Sequence, residues 1–274
     1  MTKGMQSLLL FLLAGAIIAM LTLWRAGLIR TPGSEVPAGL APELPYSNEP
    51  AVLPEPPIRY PLEAPAGFAR PLKAGEVRQA LVDLLGREAL AAFLQIDQFP
   101  RRVVATVDSL GRSHAPHLLW PVNPAPDRFL AGDLDGPVIA PDNSSRYTPF
   151  VLFAESVDTV RVIDLYVRMY PLLQAAYQEL GFTDRHFNDR LIEVIDLLLA
   201  TPDVEYPVRL QLTEVRGLIP SLRPWTRYEF ADFSLESLSA GQKILLRAGP
   251  ENQRRLKGKL GEIRRELVRR AAPR

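Results

Sequence analysis

The sequence predicts a mainly α-helical domain of the α+β class, with small β-hairpin additions, preceded by one transmembrane helix and a proline-rich linker. Residues 5–24 contain no charged side chain, and residues 31–75 hold eleven of the 26 prolines. From residue 76 onward, apolar side chains recur at the three-to-four-residue spacing of helices. The chain therefore divides into an anchor over residues 1–30, a linker over 31–75 and a folded domain over 76–274.

The apolar run over residues 5–24 fits one membrane crossing. Its twenty residues form a helix of about 30 Å, which matches the hydrocarbon thickness of a bilayer. A cleaved signal peptide is the alternative, because Ala14-Gly15-Ala16 resembles a cleavage site, but cleavage there leaves residues 17–24 as an exposed apolar stub. We expect an uncleaved single-pass anchor in the inner (plasma) membrane. Since long domains are translocated largely regardless of flanking charge, we expect the C-terminal domain to be periplasmic or otherwise extracytoplasmic.

Residues 31–75 have almost no apolar run longer than three residues. Such a segment cannot bury enough surface to offset the entropy lost on ordering it, so we expect a disordered spacer. The alternative is that Pro54-Glu55-Pro56-Pro57 is a docking peptide for an aromatic groove.

Amphipathic helices open the domain, and a β-hairpin interrupts them. Between residues 127 and 140 the apolar pattern changes, and Asp133-Leu134-Asp135-Gly136 supplies turn residues between two short apolar runs. The helical apolar positions before this hairpin are Val77, Leu81, Leu84, Leu85, Leu90, Phe93, Leu94, Val103, Val107 and Leu110.

The longest helix is predicted to start after the cap residue Asp158 and to end at Gly181 in the left-handed conformation, with a kink at Pro171. Thr183 is then expected to cap a second helix over residues 184–200, antiparallel to the first.

Two strands and two further helices complete the predicted domain. Looser alternation over residues 204–215 and 225–230 predicts the strands. Helices are predicted over residues 235–248 and 251–270, separated by Gly249-Pro250.

The last predicted helix has an apolar stripe at Leu256, Leu260, Ile263 and Leu267 and a strongly basic flank. One interpretation is contact with anionic lipid through Arg264, Arg265, Arg269 and Arg270. The other is a terminal helix that packs its stripe on the domain and leaves its charges in solvent. No aromatic side chain lies between these charges, so we expect no nucleic-acid partner.

Two groups of motifs resemble a known family. The first comprises Tyr170-Pro171-Leu172-Leu173, Leu180-Gly181, Phe187-Asn188-Asp189-Arg190-Leu191 and Ala200-Thr201-Pro202. The second comprises Tyr228-Glu229-Phe230-Ala231-Asp232, Leu238-Ser239-Ala240-Gly241-Gln242-Lys243 and Gly249-Pro250-Glu251-Asn252. Together they resemble the bacterial family catalogued as domain of unknown function 3014, over most of residues 77–267. The resemblance implies an anchored N-terminus, a proline-rich linker and one globular domain, and it implies no activity and no functional residue.

The composition removes several kinds of chemistry. The chain has no cysteine, which excludes disulfides, thiolate nucleophiles and cysteine metal sites. His114 and His117 are close in sequence, but Pro116 prevents a regular helix there and only His186 remains to complete a site. Phosphate-loop, dinucleotide and nucleophile-elbow motifs are absent from the sequence. We therefore expect no cofactor, no metal and no catalytic residue.

The string Asn188-Asp189-Arg190 places an amide, an acid and a guanidinium at the first turns of a predicted helix. These groups can bind a polar ligand or pin a neighbouring segment. The alternative is that Asp189 and Arg190 hydrogen-bond to the loop that carries Tyr228-Glu229-Phe230. The small residues Ser239-Ala240-Gly241 predict close helix packing. The candidate binding residues are Asn188, Asp189, Arg190, Tyr228, Gln242 and Lys243.

Two classes of function are compatible with these patterns. We expect a non-enzymatic interaction or scaffolding module of the cell envelope, held on a stalk, with an envelope protein as its partner. The alternative is an envelope hydrolase that acts on saccharide with Asp189, Glu193 and Asp196, which fall near one face of a predicted helix. The sequence does not predict an oligomeric state.

Overall fold

The computed structural model describes residues 57–62, 70–213 and 227–271. The predicted membrane span and most of the predicted linker lie outside these residues. In the described part of the chain, no helix is both long enough and apolar enough to cross a membrane.

The described residues are mainly helical, as the sequence predicts. Nine α-helices lie within them: α1 Val77–Leu85, α2 Arg87–Phe93, α3 Phe99–Leu110, α4 Thr148–Ser156, α5 Thr159–Glu179, α6 Phe187–Leu199, α7 Phe233–Glu236, α8 Ala240–Arg247 and α9 Pro250–Arg270. Short 3-10 helices occupy Ala74–Glu76, His117–Leu119 and Pro141–Arg146.

Two small antiparallel sheets accompany the helices. The predicted hairpin is confirmed as β1 Ala131–Asp133 paired with β2 Pro137–Ile139. The second sheet pairs β3 Leu210–Leu212 with β4 Tyr228–Phe230. The Ile139 amide donates to the Val208 carbonyl at 2.9 Å, so the two sheets meet at β2.

The main hydrophobic core lies among α3, α5, α6 and α9. Val104, Leu173, Phe187 and Leu267, one from each of these helices, have no exposed surface. A second cluster surrounds the small sheets and contains Ile139, Val208, Leu210, Phe230 and Leu246.

Local signals set the ends of the longest helix. The Asp158 carboxylate accepts a hydrogen bond from the Arg161 amide at 2.8 Å, which satisfies a free donor of the first turn of α5. Gly181 follows the helix with a φ of 99°, a conformation that glycine adopts without steric cost. Both predicted ends are confirmed, and the helix continues through Pro171.

The second helix of the pair differs from the prediction at its start. Thr183 does not cap it, and α6 begins at Phe187 rather than at residue 184. The Gln174 side chain of α5 donates to the Arg185 carbonyl and accepts from the Phe187 amide, both at 2.8 Å. A side chain from the preceding helix therefore satisfies the helix start.

The helix predicted over residues 235–248 is two helices, α7 and α8. The break falls at Ser239, whose hydroxyl accepts from the Gln242 amide while the Gln242 side chain accepts from the Ser239 amide. This reciprocal capping starts a new helix where the apolar spacing alone suggests continuity.

Close packing at Gly241 is confirmed. A Cβ atom added at Gly241 would lie 2.5 Å from Leu198 Cδ2 and 3.1 Å from the Leu110 carbonyl oxygen. Helix α8 therefore lies so close to α3 and α6 that glycine fits at position 241, whereas a residue with a Cβ atom would collide with them.

The end of the proline-rich segment contacts the folded domain, in contrast to the disordered spacer expected over residues 31–75. Leu72 is only 6% exposed, and its amide donates to the Arg168 carbonyl at 2.9 Å. Tyr60 and Leu62 pack against the main core. These apolar side chains have few apolar neighbours in the sequence, but the folded domain provides an apolar surface against which they pack.

Candidate functional site

Asn188 and Asp189, which we call the clamp, hold the end of the proline-rich segment. The Asp189 carboxylate accepts hydrogen bonds from the Arg59 amide at 2.9 Å and from the Tyr60 amide at 2.8 Å. The Asn188 side-chain amide donates to the Tyr60 carbonyl at 2.8 Å. The clamp therefore binds main-chain groups of a segment that is neither helix nor strand at this point, which satisfies them without secondary structure.

Burial fixes the clamp in position. Asn188 has no exposed surface, and its Oδ1 atom accepts from the Tyr166 hydroxyl at 3.0 Å. Burial raises the pKa of Tyr166 well above its usual value and that of Tyr170 to about 12, so both hydroxyls stay protonated as donors. Both the oxygen and the nitrogen of the Asn188 side-chain amide therefore form hydrogen bonds within the protein.

We predict that Asp189→Ala releases the clamped segment and leaves the domain folded. Hydrogen bonds to a charged acceptor contribute about 1.5–3 kcal/mol each, so their loss should raise the opening of residues 59–60 at least tenfold. The measurement is the rate of trypsin cleavage after Arg59, with intact mass to identify the cut. Asp184→Ala, at an exposed acid just before the same helix, is the control, and equal cleavage rates in the two variants would contradict the clamp.

Arg190 faces a different neighbour. Its guanidinium donates to the Asp108 carboxylate at 3.2 Å, to the Asp108 carbonyl at 3.0 Å and to Glu193 at 3.0 Å. It joins α6 to α3, whereas Asp189 holds the clamped segment. The expectation that Asp189 and Arg190 bind the loop of Tyr228-Glu229-Phe230 is wrong, because closer partners satisfy both side chains.

The other predicted binding residues lie apart from the clamp. The Tyr228 ring lies 6.0 Å from the Phe129 ring in the small-sheet region. Gln242 is buried in the cap of α8, and its amide donates to the Leu197 carbonyl at 3.1 Å. Lys243 pairs with Glu236 at 2.7 Å. The six candidates therefore do not converge on one site.

The three acids of the hydrolase alternative each have a partner within the domain. Asp189 belongs to the clamp, Glu193 pairs with Arg190, and Asp196 pairs with Arg264. None of the three lines either of the two cavities described below. The hydrolase function stays a prediction that these contacts do not favour.

The basic flank of α9 is largely paired. Arg264 binds Asp196, Arg269 binds Glu266 at 2.8 Å, and Arg270 binds Asp164 at 2.7 Å. Arg265 is exposed. The apolar stripe of the helix packs on the domain, with Leu260 and Ile263 against the main core and Leu267 inside it. Packing of the terminal helix is confirmed, and lipid contact stays a prediction.

A cavity of about 570 Å³, which we call the Arg247 cavity, lies where the small sheets meet α4, α8 and the start of α9. Its lining includes Ile139, Pro141, Ser144, Thr148, Leu152, Tyr206, Pro207, Arg247, Gly249, Pro250, Glu251, Asn252 and Arg255. A second cavity of about 410 Å³ shares Tyr206 and Pro250 with it. Sequence reasoning missed this site, because its lining comes from three separate stretches of chain, residues 139–152, 206–207 and 247–255.

Buried amides brace the walls of the Arg247 cavity. The Asn252 amide donates to the Ser144 carbonyl at 2.8 Å and to the Ala248 carbonyl at 3.0 Å. The Asn143 amide donates to the Arg247 carbonyl at 2.9 Å. The Tyr206 hydroxyl donates to the Leu246 carbonyl, and burial raises its pKa to about 12. The cavity is therefore preformed, with its lining held by the protein's own hydrogen bonds.

The model of the family described as "Protein of unknown function (DUF3014)" matches residues 99–264, well over half of the chain. The matched range begins with α3 and ends within α9, so it includes the clamp and every named lining residue of the Arg247 cavity. No curated protein and no solved structure matches the chain.

Proposed function

The chain belongs to the DUF3014 family, whose description names no activity, and we propose that this member is a single-pass protein of the bacterial cell envelope. Its folded domain acts outside the cytoplasm as a non-enzymatic interaction or scaffolding module. Residues 5–24 anchor it in the inner membrane, and the proline-rich residues that follow hold it away from the bilayer.

The clamp is the observation that carries this proposal. A tether can join its domain through unbound residues, and its direction relative to the domain is then undefined. When the last residues of the tether are bound to the domain, the tether leaves the surface from a fixed point. Three hydrogen bonds fix that point at residues 59–60, two accepted by Asp189 and one donated by Asn188. A defined exit point keeps the same face of the domain next to the tether and leaves its other faces for a partner, which favours an interaction module.

The charge distribution of the sequence supports the same role. Nine basic residues lie between residues 254 and 274 against Glu262 and Glu266, while the chain as a whole carries a net charge of +1. The rest of the chain is therefore acidic. Arg264 and Arg270 pair with acids of the domain, whereas Arg265 is exposed and can attract an acidic partner surface.

The first test is location. The full-length chain with a C-terminal tag is expected in the membrane fraction after alkaline extraction, and protease added to spheroplasts is expected to remove the tag. A variant that lacks residues 1–30 should leave the membrane fraction. Recovery of the full-length chain as an extractable protein, or a tag that protease reaches only after lysis, would contradict the proposal.

The second test is interaction. The full-length chain is crosslinked in its native cell and purified beside a control that ends at Gly75 and so keeps only the predicted anchor and linker. A specific envelope protein that depends on residues 76–274 is expected. Identical crosslinked proteins from both chains would argue against an interaction module.

A further inference from the structure

The Arg247 guanidinium is held in one orientation by neighbours that do not neutralise it. Its Nη2 atom donates to the Tyr228 carbonyl at 3.2 Å. Its Cζ atom lies 4.9 Å from the centre of the Phe230 ring, and Phe230 has no exposed surface. A ring and one carbonyl set the plane of the cation and leave its remaining N–H groups for another acceptor.

Among the described residues, no carboxylate forms an ion pair with Arg247. Glu236 and Glu229 act on it electrostatically, but Glu236 pairs with Lys243 at 2.7 Å. Burial is the largest effect on Arg247 and lowers its pKa. A guanidinium that is removed from water and has no acid beside it destabilises the folded protein. A bound anion would offset that cost.

The other charged side chains of the lining neutralise one another. Glu251 pairs with Arg254 and with Arg255, and Arg255 also pairs with Glu155 at 3.0 Å. Arg255 and Glu251 are therefore satisfied by each other and by their neighbours. Arg247 is therefore the charged side chain of the lining that has no acidic ion-pair partner among the described residues.

The rest of the lining is suited to an apolar body. Ile139, Pro141, Leu152, Pro207 and Pro250 form hydrocarbon walls. The hydroxyls of Ser144 and Thr148 donate within the chain, to the Pro141 and Ser144 carbonyls, and so supply few free donors. A volume of about 570 Å³ falls in the range of small-molecule sites.

We propose that the Arg247 cavity binds a carboxylate carried on an apolar body, with the carboxylate on the Arg247 guanidinium and the apolar part against the proline and aliphatic walls. The planar guanidinium matches the two oxygens of a carboxylate, which gives paired, charge-assisted hydrogen bonds. The site is separate from the clamp and independent of the membrane anchor.

The test uses the full-length chain in a non-ionic detergent and isothermal titration calorimetry. The probe is 4-phenylbutyrate, and its uncharged counterpart is 4-phenylbutyramide. We expect the acid to bind and the amide to bind at least about tenfold more weakly. Equal binding of the two, or no binding of the acid at millimolar concentration, would overturn the proposal.

Two matched variants locate the carboxylate. Arg247→Met keeps the length of the side chain and removes its charge, and it should weaken 4-phenylbutyrate at least about tenfold. Arg78→Met removes an exposed arginine of α1 that lines neither cavity, and it should change affinity less than about twofold. Equal losses in the two variants would mean that general positive charge, not Arg247, holds the probe.

A measurement on the unmodified chain covers the case in which Arg247→Met does not fold. Phenylglyoxal reacts with arginine, and mass spectrometry reports the extent at each site. The probe should slow modification of Arg247 and leave that of Arg78, outside both cavities, unchanged, and equal rates at Arg247 with and without probe would refute the site. Acetyl-Ala-Ala-Leu is titrated beside 4-phenylbutyrate: tighter binding of the peptide assigns the carboxylate to a chain end, and tighter binding of the acid assigns it to a free organic acid.

Discussion

Replacing Arg190 by alanine is expected to lower the free energy of unfolding by about 3 kcal/mol. Asp108 is only 8% exposed, and Arg190 contacts both its carboxylate and its carbonyl. Of the ion-pair partners that the described residues supply to this buried acid, the variant would leave only the exposed guanidinium of Arg112, at 2.6 Å. It also removes the hydrogen bonds that join Arg190 of α6 to Asp108 near the end of α3. Both helices belong to the main core.

Urea unfolding of the full-length chain in detergent, followed by far-UV circular dichroism, measures this loss. Arg78→Ala, at an exposed position of α1, is the matched control and should change stability by less than about 0.5 kcal/mol. A double-mutant cycle with Asp108→Asn isolates the pair. If the Arg190 and Arg78 variants unfold at the same urea concentration, the pair does not stabilise the domain.

Replacing Asn188 by alanine is expected to cost about 2–3 kcal/mol of unfolding free energy. The substitution leaves the buried Tyr166 hydroxyl without its acceptor and the Tyr60 carbonyl without its donor. A buried donor that loses its partner costs more than the hydrogen bond contributed, because water does not replace the lost acceptor.

Tyr166→Phe tests this reason. In the native chain it should cost about 1 kcal/mol, since it removes the donor to Asn188 Oδ1. In the Asn188→Ala background it should cost nothing or restore stability, because the unsatisfied hydroxyl is removed. Chemical unfolding of the four chains gives the coupling energy, and additive effects within about 0.3 kcal/mol would show that the two side chains act separately.

The expectations that held are those that depend on neighbours in the sequence. Asp158 caps a helix because its carboxylate reaches an amide three residues away, and Gly181 ends that helix because it alone adopts its φ without strain. The hairpin around Asp133 and the start of the last helix after Gly249 are equally local. Where a distant side chain replaced the local cap, as Gln174 does for α6, the predicted start was wrong by three residues.

The candidate site shows the same division more sharply. The sequence indicated that Asn188, Asp189 and Arg190 are unusual, and it offered the binding of a neighbouring segment as one role. It did not give their partners, because residues 59–60 and 108 lie about 80 to 130 positions away along the chain. Arg247 carried no signal at all, since a cavity arises only when separate elements enclose it.

By itself the sequence determined the mainly helical class, most helix ends, the hairpin and the membership of a family, because periodicity, caps, turns and motifs are short-range properties of the chain. The tertiary structure alone decided that the end of the proline-rich segment is bound, that Arg190 pairs with Asp108 and that Arg247 lines a cavity without an ion-pair partner among the described residues. These features depend on which groups, distant in sequence, come into contact in the fold. Burial then raises the free-energy cost of any charge that is left without a partner.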